Sequence, residues 1–207
     1  MRLLMLLVAC LPFAALATAA DQPPTTRPAP ADPSTPRGAL KACDQSLPAG
    51  GLPAARQLYH WTDRKYRPAV DAMAKSDLAA ARLGKAVRDK FGDKAAEDAL
   101  HAMRQFTSAD IDAATETIDG DKASVAWPDD REPLEMVKID GKWKVSVAAI
   151  LPDADADTIK EVIETNGQLV KELDQTAKEL AAGAYANAVL LERAIRQRVF
   201  RIMGDDD

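Results

Sequence analysis

The chain has 207 residues, of which 47% are hydrophobic and 29% charged, and 27 basic residues face 32 acidic ones for a net charge of −5. That is enough chain for one or two small cores. Two His and two Cys exclude a His-rich metal centre, a Cys₄ zinc site and a disulfide-built domain by count, and the acidic balance argues against a nucleic-acid partner.

Residues 1–20 open on Met1-Arg2, continue in an apolar run from Leu3 to Ala17 broken only by Pro12, and end on Ala17-Thr18-Ala19. One positive charge, a short apolar stretch and an A-x-A site read as a secretory signal peptide, residues 1–19, and the run is too short for a stable transmembrane segment. The expected location is therefore outside the cytoplasm, periplasmic or extracellular, after cleavage. Leu7-Val8-Ala9-Cys10 resembles a lipobox, so a lipoprotein acylated on Cys10 is the minor alternative. Cleavage after Ala19 removes Arg2 from the 27 basic residues and leaves 26 against 32 acidic ones. It also leaves one thiol, Cys43, which sits among Ala39, Leu40 and Leu47 at helical spacing and is expected to be buried. Residues 20–36, with six Pro between Asp21 and Pro36, form a disordered spacer of extended character.

The folded part follows as an α+β chain: N-terminal helices, a four-stranded antiparallel meander, then a C-terminal helical hairpin. Abundant Ala and unbranched charged side chains predict helices over 38–47 and 53–61, separated by Pro48-Ala49-Gly50-Gly51. A longer helix over 63–91 carries the stripe Tyr66, Val70, Met73, Ala80, Leu83, Gly84, Val87 and Phe91, and Gly92-Asp93 stops it. A fourth helix, 94–106, faces inward with Ala96, Leu100, Met103 and Phe106.

After Phe106 the period changes to two. Ala113–Ile118, Ala123–Trp127, Leu134–Ile139 and Trp143–Val147 are short alternating runs joined by tight turns, two of them containing Asp-Gly, a strong hairpin signal. Helix returns after Leu151-Pro152-Asp153. Over 155–182, Ile159, Ile163, Asn166, Val170, Leu173, Ala177 and Leu180 make a heptad seam. Gly183 ends that helix, and a partner over 184–203 offers Ala188, Leu191, Ile195, Val199 and Ile202. The domain layout expected is thus 37–152 as an α+β domain, 153–203 as a helical hairpin packed on it, and 204–207 as an acidic tail.

Helices followed by a meander that reads Ile118-Asp119-Gly120-Asp121-Lys122-Ala123-Ser124-Val125 and Val137-Lys138-Ile139-Asp140-Gly141-Lys142-Trp143-Lys144-Val145 resembles the cystatin-like superfamily that includes nuclear transport factor two and ketosteroid isomerase. The second stretch carries most of the resemblance, which covers roughly residues 53–148. It implies a cone-shaped α+β fold and the company of small exported bacterial proteins. It is a structural signature, and no site residue is carried over from it.

Few residues offer chemistry. His60, between Tyr59 and Trp61, and His101, among Ala and Leu, are the imidazoles that could act as acid or base, and both read better as structural rings. Asp77 falls within the apolar stripe of its helix. A buried, unpaired carboxylate there would have a raised pKa, whereas Ser76-Asp77 could instead cap a helix or pair with a nearby cation. Trp61, Trp127 and Trp143 read as core fillers, Arg193, Arg196, Arg198 and Arg201 as a solvated face, and the aspartates of 153–157 and 205–207 as solvated charge and helix capping. No G-x-S-x-G, phosphate loop, H-E-x-x-H or C-x-x-C occurs. No catalytic, cofactor-binding or metal-ligating residue is assigned, and no cofactor is expected.

The sequence therefore predicts a non-catalytic binding or interaction module of the cell envelope whose partner is an unknown protein or a small apolar ligand, the chain itself being a monomer or homodimer. The alternatives are an assembly module that oligomerises through residues 159–180, and a small isomerase- or dehydratase-like enzyme using Asp77 or His101.

Overall fold

A computed structural model describes residues 32–103, 105–129 and 131–204. The signal peptide, Cys10, the spacer up to residue 31 and the Asp205–Asp207 triplet lie outside the described residues.

The architecture is α+β. Helix α1 (Pro36–Gln57) leads into a two-residue strand β1 (Tyr59–His60), a 3-10 turn (Arg64–Tyr66), and helices α2 (Arg67–Phe91), α3 (Asp93–Ala102) and α4 (Ser108–Ala113). Strands β2 (Thr115–Asp119), β3 (Lys122–Ala126), β4 (Leu134–Ile139) and β5 (Lys142–Ser146) follow, then a single turn α5 (Val147–Ile150) and the long helices α6 (Ala156–Ala181) and α7 (Ala188–Met203).

The meander is present but is part of a larger sheet. Its order is β1-β5-β4-β3-β2, with β2 to β5 antiparallel in chain order and β1 added parallel to β5. The expectation of four strands missed β1 because Tyr59–His60 was read as the end of a helix. Two residues of extended chain carry no periodicity of their own; the pairing of Tyr59 with Val145 and His60 with Ser146 creates them. Val145 N–H donates to Leu58 C=O at 2.7 Å, which fixes that edge.

Both hairpins turn on glycine. At Asp140-Gly141 both residues have positive φ, 50° and 75°, as a type I′ turn requires. In the first hairpin the strands pair as far as Asp119 opposite Lys122, so the turn residues are Gly120-Asp121 and only Gly120 is left-handed.

The break expected between the helices of 38–47 and 53–61 is present, and the other helical expectations need correction. Helix α1 is two helices that meet at a kink, where Gly51 takes the non-helical φ 62° and ψ −159°. Its start at Pro36, capped by the Thr35 hydroxyl, draws the last residues of the supposed spacer into the fold. The helix of 63–91 begins as a separate 3-10 turn, because Pro68 in the first turn of α2 suits a fresh helix start. α4 and α5 are too short to show a period; a capping box in which Thr107 and Asp110 bond reciprocally holds the first of them.

Two layers of core result. The larger is helical: Leu83, Val87, Met103, Leu169, Leu173, Leu180, Leu191, Ile195 and Val199 bring α2, α3, α6 and α7 together. Gly84 permits the close approach of α3, since a Cβ there would meet Leu100 Cδ2 at 3.2 Å. The seam of α6 faces α2, with Ser76 Oγ donating to Asn166 Oδ1 at 2.6 Å across it, and α7 reaches both α6 and α3. Leu173 and Leu180 of the seam are thus buried within the chain. The second core lies under the sheet, where Leu40 of α1 meets Val125, Trp127, Met136, Trp143 and Val145.

Candidate functional site

Among the described residues the junction of α1 with the sheet is incompletely packed. The amphipathic face of α1 is built largely from Ala, so it covers the sheet without filling the space beside β5. A cleft of about 800 Å³ remains. On the α1 side its wall is Ala39, Ala42, Cys43 and Ala54; on the sheet side it is Ile139, Trp143 and Lys144. Such a volume falls in the range of small-molecule sites. Ser34 closes one end, its carbonyl accepting from Trp143 Nε1 at 2.9 Å.

The backbone of β5 contributes to the cleft as well. Val145 N–H points outward to Leu58 C=O, and residues two apart on a strand point the same way. Trp143 N–H and C=O therefore face outward too, beyond the reach of β1, whose pairing covers only Val145 and Ser146. This stretch of strand edge, unpaired among the described residues, offers a donor and an acceptor to whatever enters.

Behind the α1 wall lies a group of ionisable side chains from three elements. Tyr59 of β1 donates from its hydroxyl to Asp77 Oδ2 at 2.6 Å, and Leu47, Ala55 and Ala74 form the apolar cluster on which Cys43 and Tyr59 pack. Burial raises the Asp77 carboxyl to about 6, against which the Tyr59 hydrogen bond works only in part. Burial, then the charge and hydrogen bond of Asp77, push the Tyr59 phenol well above its ordinary value. The Cys43 thiol rises to about 12 through burial first and then the charges of Asp77 and Asp44, so it stays protonated and is a poor nucleophile at neutral pH.

Asp77 thus sits in the middle of α2 and not at a helix start, and its partner is a phenol in place of the cation the sequence suggested. The raised pKa was legible from its place in the stripe. Tyr59 was missed as its partner because the residue was assigned to a helix, where its ring would have pointed elsewhere. Among the cleft-lining side chains only Cys43 belongs to this group; Asp77 is not one of them.

The other sequence candidates are scattered. His60 is in β1, and His101 is half-exposed near the end of α3, with Nδ1 3.8 Å from Asp110 Oδ2. Burial would raise the Asp110 carboxyl, but the Thr107 N–H and hydroxyl, with His101 and Arg131, outweigh it and hold it low. Trp127 and Trp143 are buried core residues, Trp127 stacking on Phe106 at 3.9 Å between ring centres, while Trp61 is only half-buried. Cys43 is partly buried. Of the α7 arginines, Arg196 pairs with Glu192 and Arg198 is drawn inward, donating to Glu179 at 2.9 Å and to Thr176 at 2.6 Å. Among the described residues no group of three His, Cys, Asp or Glu is placed to hold a metal ion, and no helix is long and apolar enough to cross a membrane.

Searches of protein families, of curated proteins and of solved structures found nothing that matches this chain.

Proposed function

We propose that the chain is a non-catalytic binding module, exported as its N-terminus suggests, whose cleft between α1 and β5 takes a small apolar molecule. The observation that carries this reading is the cleft itself: an apolar part from Ala39, Ala42, Ala54, Ile139 and Trp143 beside a polar rim of Ser46, Gln57, Asp140 and Lys142, with a backbone donor and acceptor at Trp143 that are unpaired among the described residues to orient one polar group. A binding role is favoured over a catalytic one by chemistry. The group with a near-neutral pKa, Asp77, is engaged by Tyr59 behind the wall, and Cys43, which does line the cleft, is held protonated. Helix α1 packed on a meander that contains an Asp-Gly hairpin supports the likeness to the cystatin-like superfamily. It adds no residue to the site. Assembly through residues 159–180 is less favoured, since Leu173 and Leu180 of the seam pack inside the chain.

The test is fluorescence titration of the full chain with N-phenyl-1-naphthylamine, an uncharged apolar probe, alongside Ala42→Trp, which fills the cleft. Saturable one-to-one binding that the substitution abolishes, with the thermal transition retained, is the expected result. Absence of saturable binding, or equal binding by the filled variant, would overturn the proposal.

A further inference from the structure

A second concavity lies on the other side of β1, and its lining is chemically unlike the cleft. It measures about 660 Å³ and is lined by Arg56, Trp61, Arg64, Arg67 and Asp71. A smaller hollow that shares Arg56 and Trp61 with it adds Lys144 and His60 to the wall. Three arginines, a lysine and a single carboxylate meet here on a chain whose net charge is −5.

Asp71 is occupied with one of them, its Oδ1 lying 2.7 Å from Arg56 Nε. Among the described residues Arg64 and Arg67 form no ion pair. Both are exposed, in the helical run that the 3-10 turn and α2 make together, whose N–H end the Asp63 carboxylate caps by accepting from Lys65 N–H at 2.9 Å. An anion entering the hollow would meet the two guanidinium groups.

Trp61 supplies the other half of the recognition surface. It is half-buried, in the connection between β1 and the 3-10 turn, and packs against the cluster of Tyr66, Val70 and Val147. Its ring is thus backed by core, and it lines both hollows. A flat, supported indole beside guanidinium groups suits a ligand that is planar at one end and doubly charged at the other.

We propose that this pocket binds a phosphate monoester carried on a planar ring, with the phosphate between Arg64 and Arg67 at the start of α2 and the ring on Trp61. The two arginines, without an ion pair among the described residues, match the charge of the dianion. This site is separate from the apolar cleft, and either can fail alone.

Phenyl phosphate is the probe, titrated into the full chain and followed by Trp fluorescence and by the side-chain Nε–H signals of the arginines in NMR. The expected result is saturation at about 1 mM or below, with the Arg64 and Arg67 signals shifting most. Inorganic phosphate should bind at least about tenfold more weakly and phenol not measurably. The double substitution Arg64→Ala/Arg67→Ala should weaken phenyl phosphate at least about tenfold while leaving N-phenyl-1-naphthylamine binding unchanged, and Trp61→Leu should reduce phenyl phosphate to the level of inorganic phosphate. The arginine signals give the answer in the unsubstituted protein should the double variant fold poorly. Absence of saturation at about 10 mM, phenol binding as well as its phosphate, or arginine signals that do not move would each overturn the proposal.

Discussion

Around Leu83, helices α2, α3, α6 and α7 close on one another through apolar side chains, and the polar groups at their margins find partners: Ser76 with Asn166, and Arg198 with Glu179. Between α1 and β5 the opposite holds, with small alanines and the Cys43 thiol on one wall, a strand edge only partly covered on the other, and a carboxylate and a phenol packed just behind. The difference teaches where this molecule is packed for stability and where it leaves room. Leu, Ile and Val at heptad spacing fill a helical layer to the density of a core. The Ala-rich α1 cannot fill its interface, and what it leaves open is the cleft proposed above as a binding site.

Substitutions can break this contrast, and the largest effect belongs to the helical layer. Leu83 is fully buried, and Leu83→Ala is expected to cost about 3–4 kcal/mol through lost burial and the cavity left behind. Urea unfolding measures it, and a cost under about 1 kcal/mol would mean that the layer is loosely packed. A change of the same chemistry in the cleft wall, Ile139→Ala, should cost less, since Ile139 already borders empty space.

Asp77 gives the next effect, with the opposite sign. Its carboxyl titrates at about 6 in the folded chain and near 3.8 when exposed, so the folded state binds the extra proton between those values. Its contribution to stability is then fully present below about pH 4 and is lost as pH rises toward about 6, a span worth about 3 kcal/mol at most. Asp77→Asn keeps an acceptor for the Tyr59 hydroxyl and removes the charge. It should stabilise the protein by about 1–2 kcal/mol at pH 7 and by nothing below pH 4, as thermal melts across that range would record. A stability difference that does not vary with pH would show that the carboxylate is not strained.

Glu179 provides the mirror image within the helical half. Hydrogen bonds from Tyr185, Arg198 and Gln175 lower its carboxyl to about 2. The stability it contributes is present above about pH 4.5 and lost as the pH falls toward about 2. Arg198→Ala should cost about 1–2 kcal/mol near neutrality, discounted for the partial exposure of the pair, and the deficit should shrink in acid. The smallest effect is kinetic. In a Cys10→Ser background the Cys43 thiol should react with a disulfide reagent at pH 8 at least about tenfold more slowly than a free thiol, because it stays protonated. A rate equal to that of a free thiol would contradict the burial of this wall.

Much of the helical half was legible in the sequence, since Leu173, Leu180, Leu191, Ile195 and Val199 recur at spacings that only a helix satisfies, and all are buried. The two hairpins were legible through Asp-Gly. The junction was not. Strand β1 exists through its pairing with β5, so nothing local announced it, and without it Tyr59 could not be brought to Asp77. The Arg56, Arg64, Arg67 and Trp61 group escaped for a related reason: the residues belong to α1, the 3-10 turn, α2 and the connection after β1, whose meeting depends on the kink in α1 and on the fresh start of α2 at Pro68. Asp77 itself did carry a signal, a charge in an apolar stripe, which identified the residue but not its partner.

The central claim is that the α1–β5 junction, and not the helical layer, is the binding face. The most direct measurement is backbone amide NMR of the full chain, labelled with nitrogen-15, on addition of N-phenyl-1-naphthylamine. The account expects the shifts to concentrate at Ala39, Ala42, Cys43 and Ile139–Lys144, with those of α6 and α7 unmoved. Shifts centred on α6 and α7, or none at saturating probe, would contradict it.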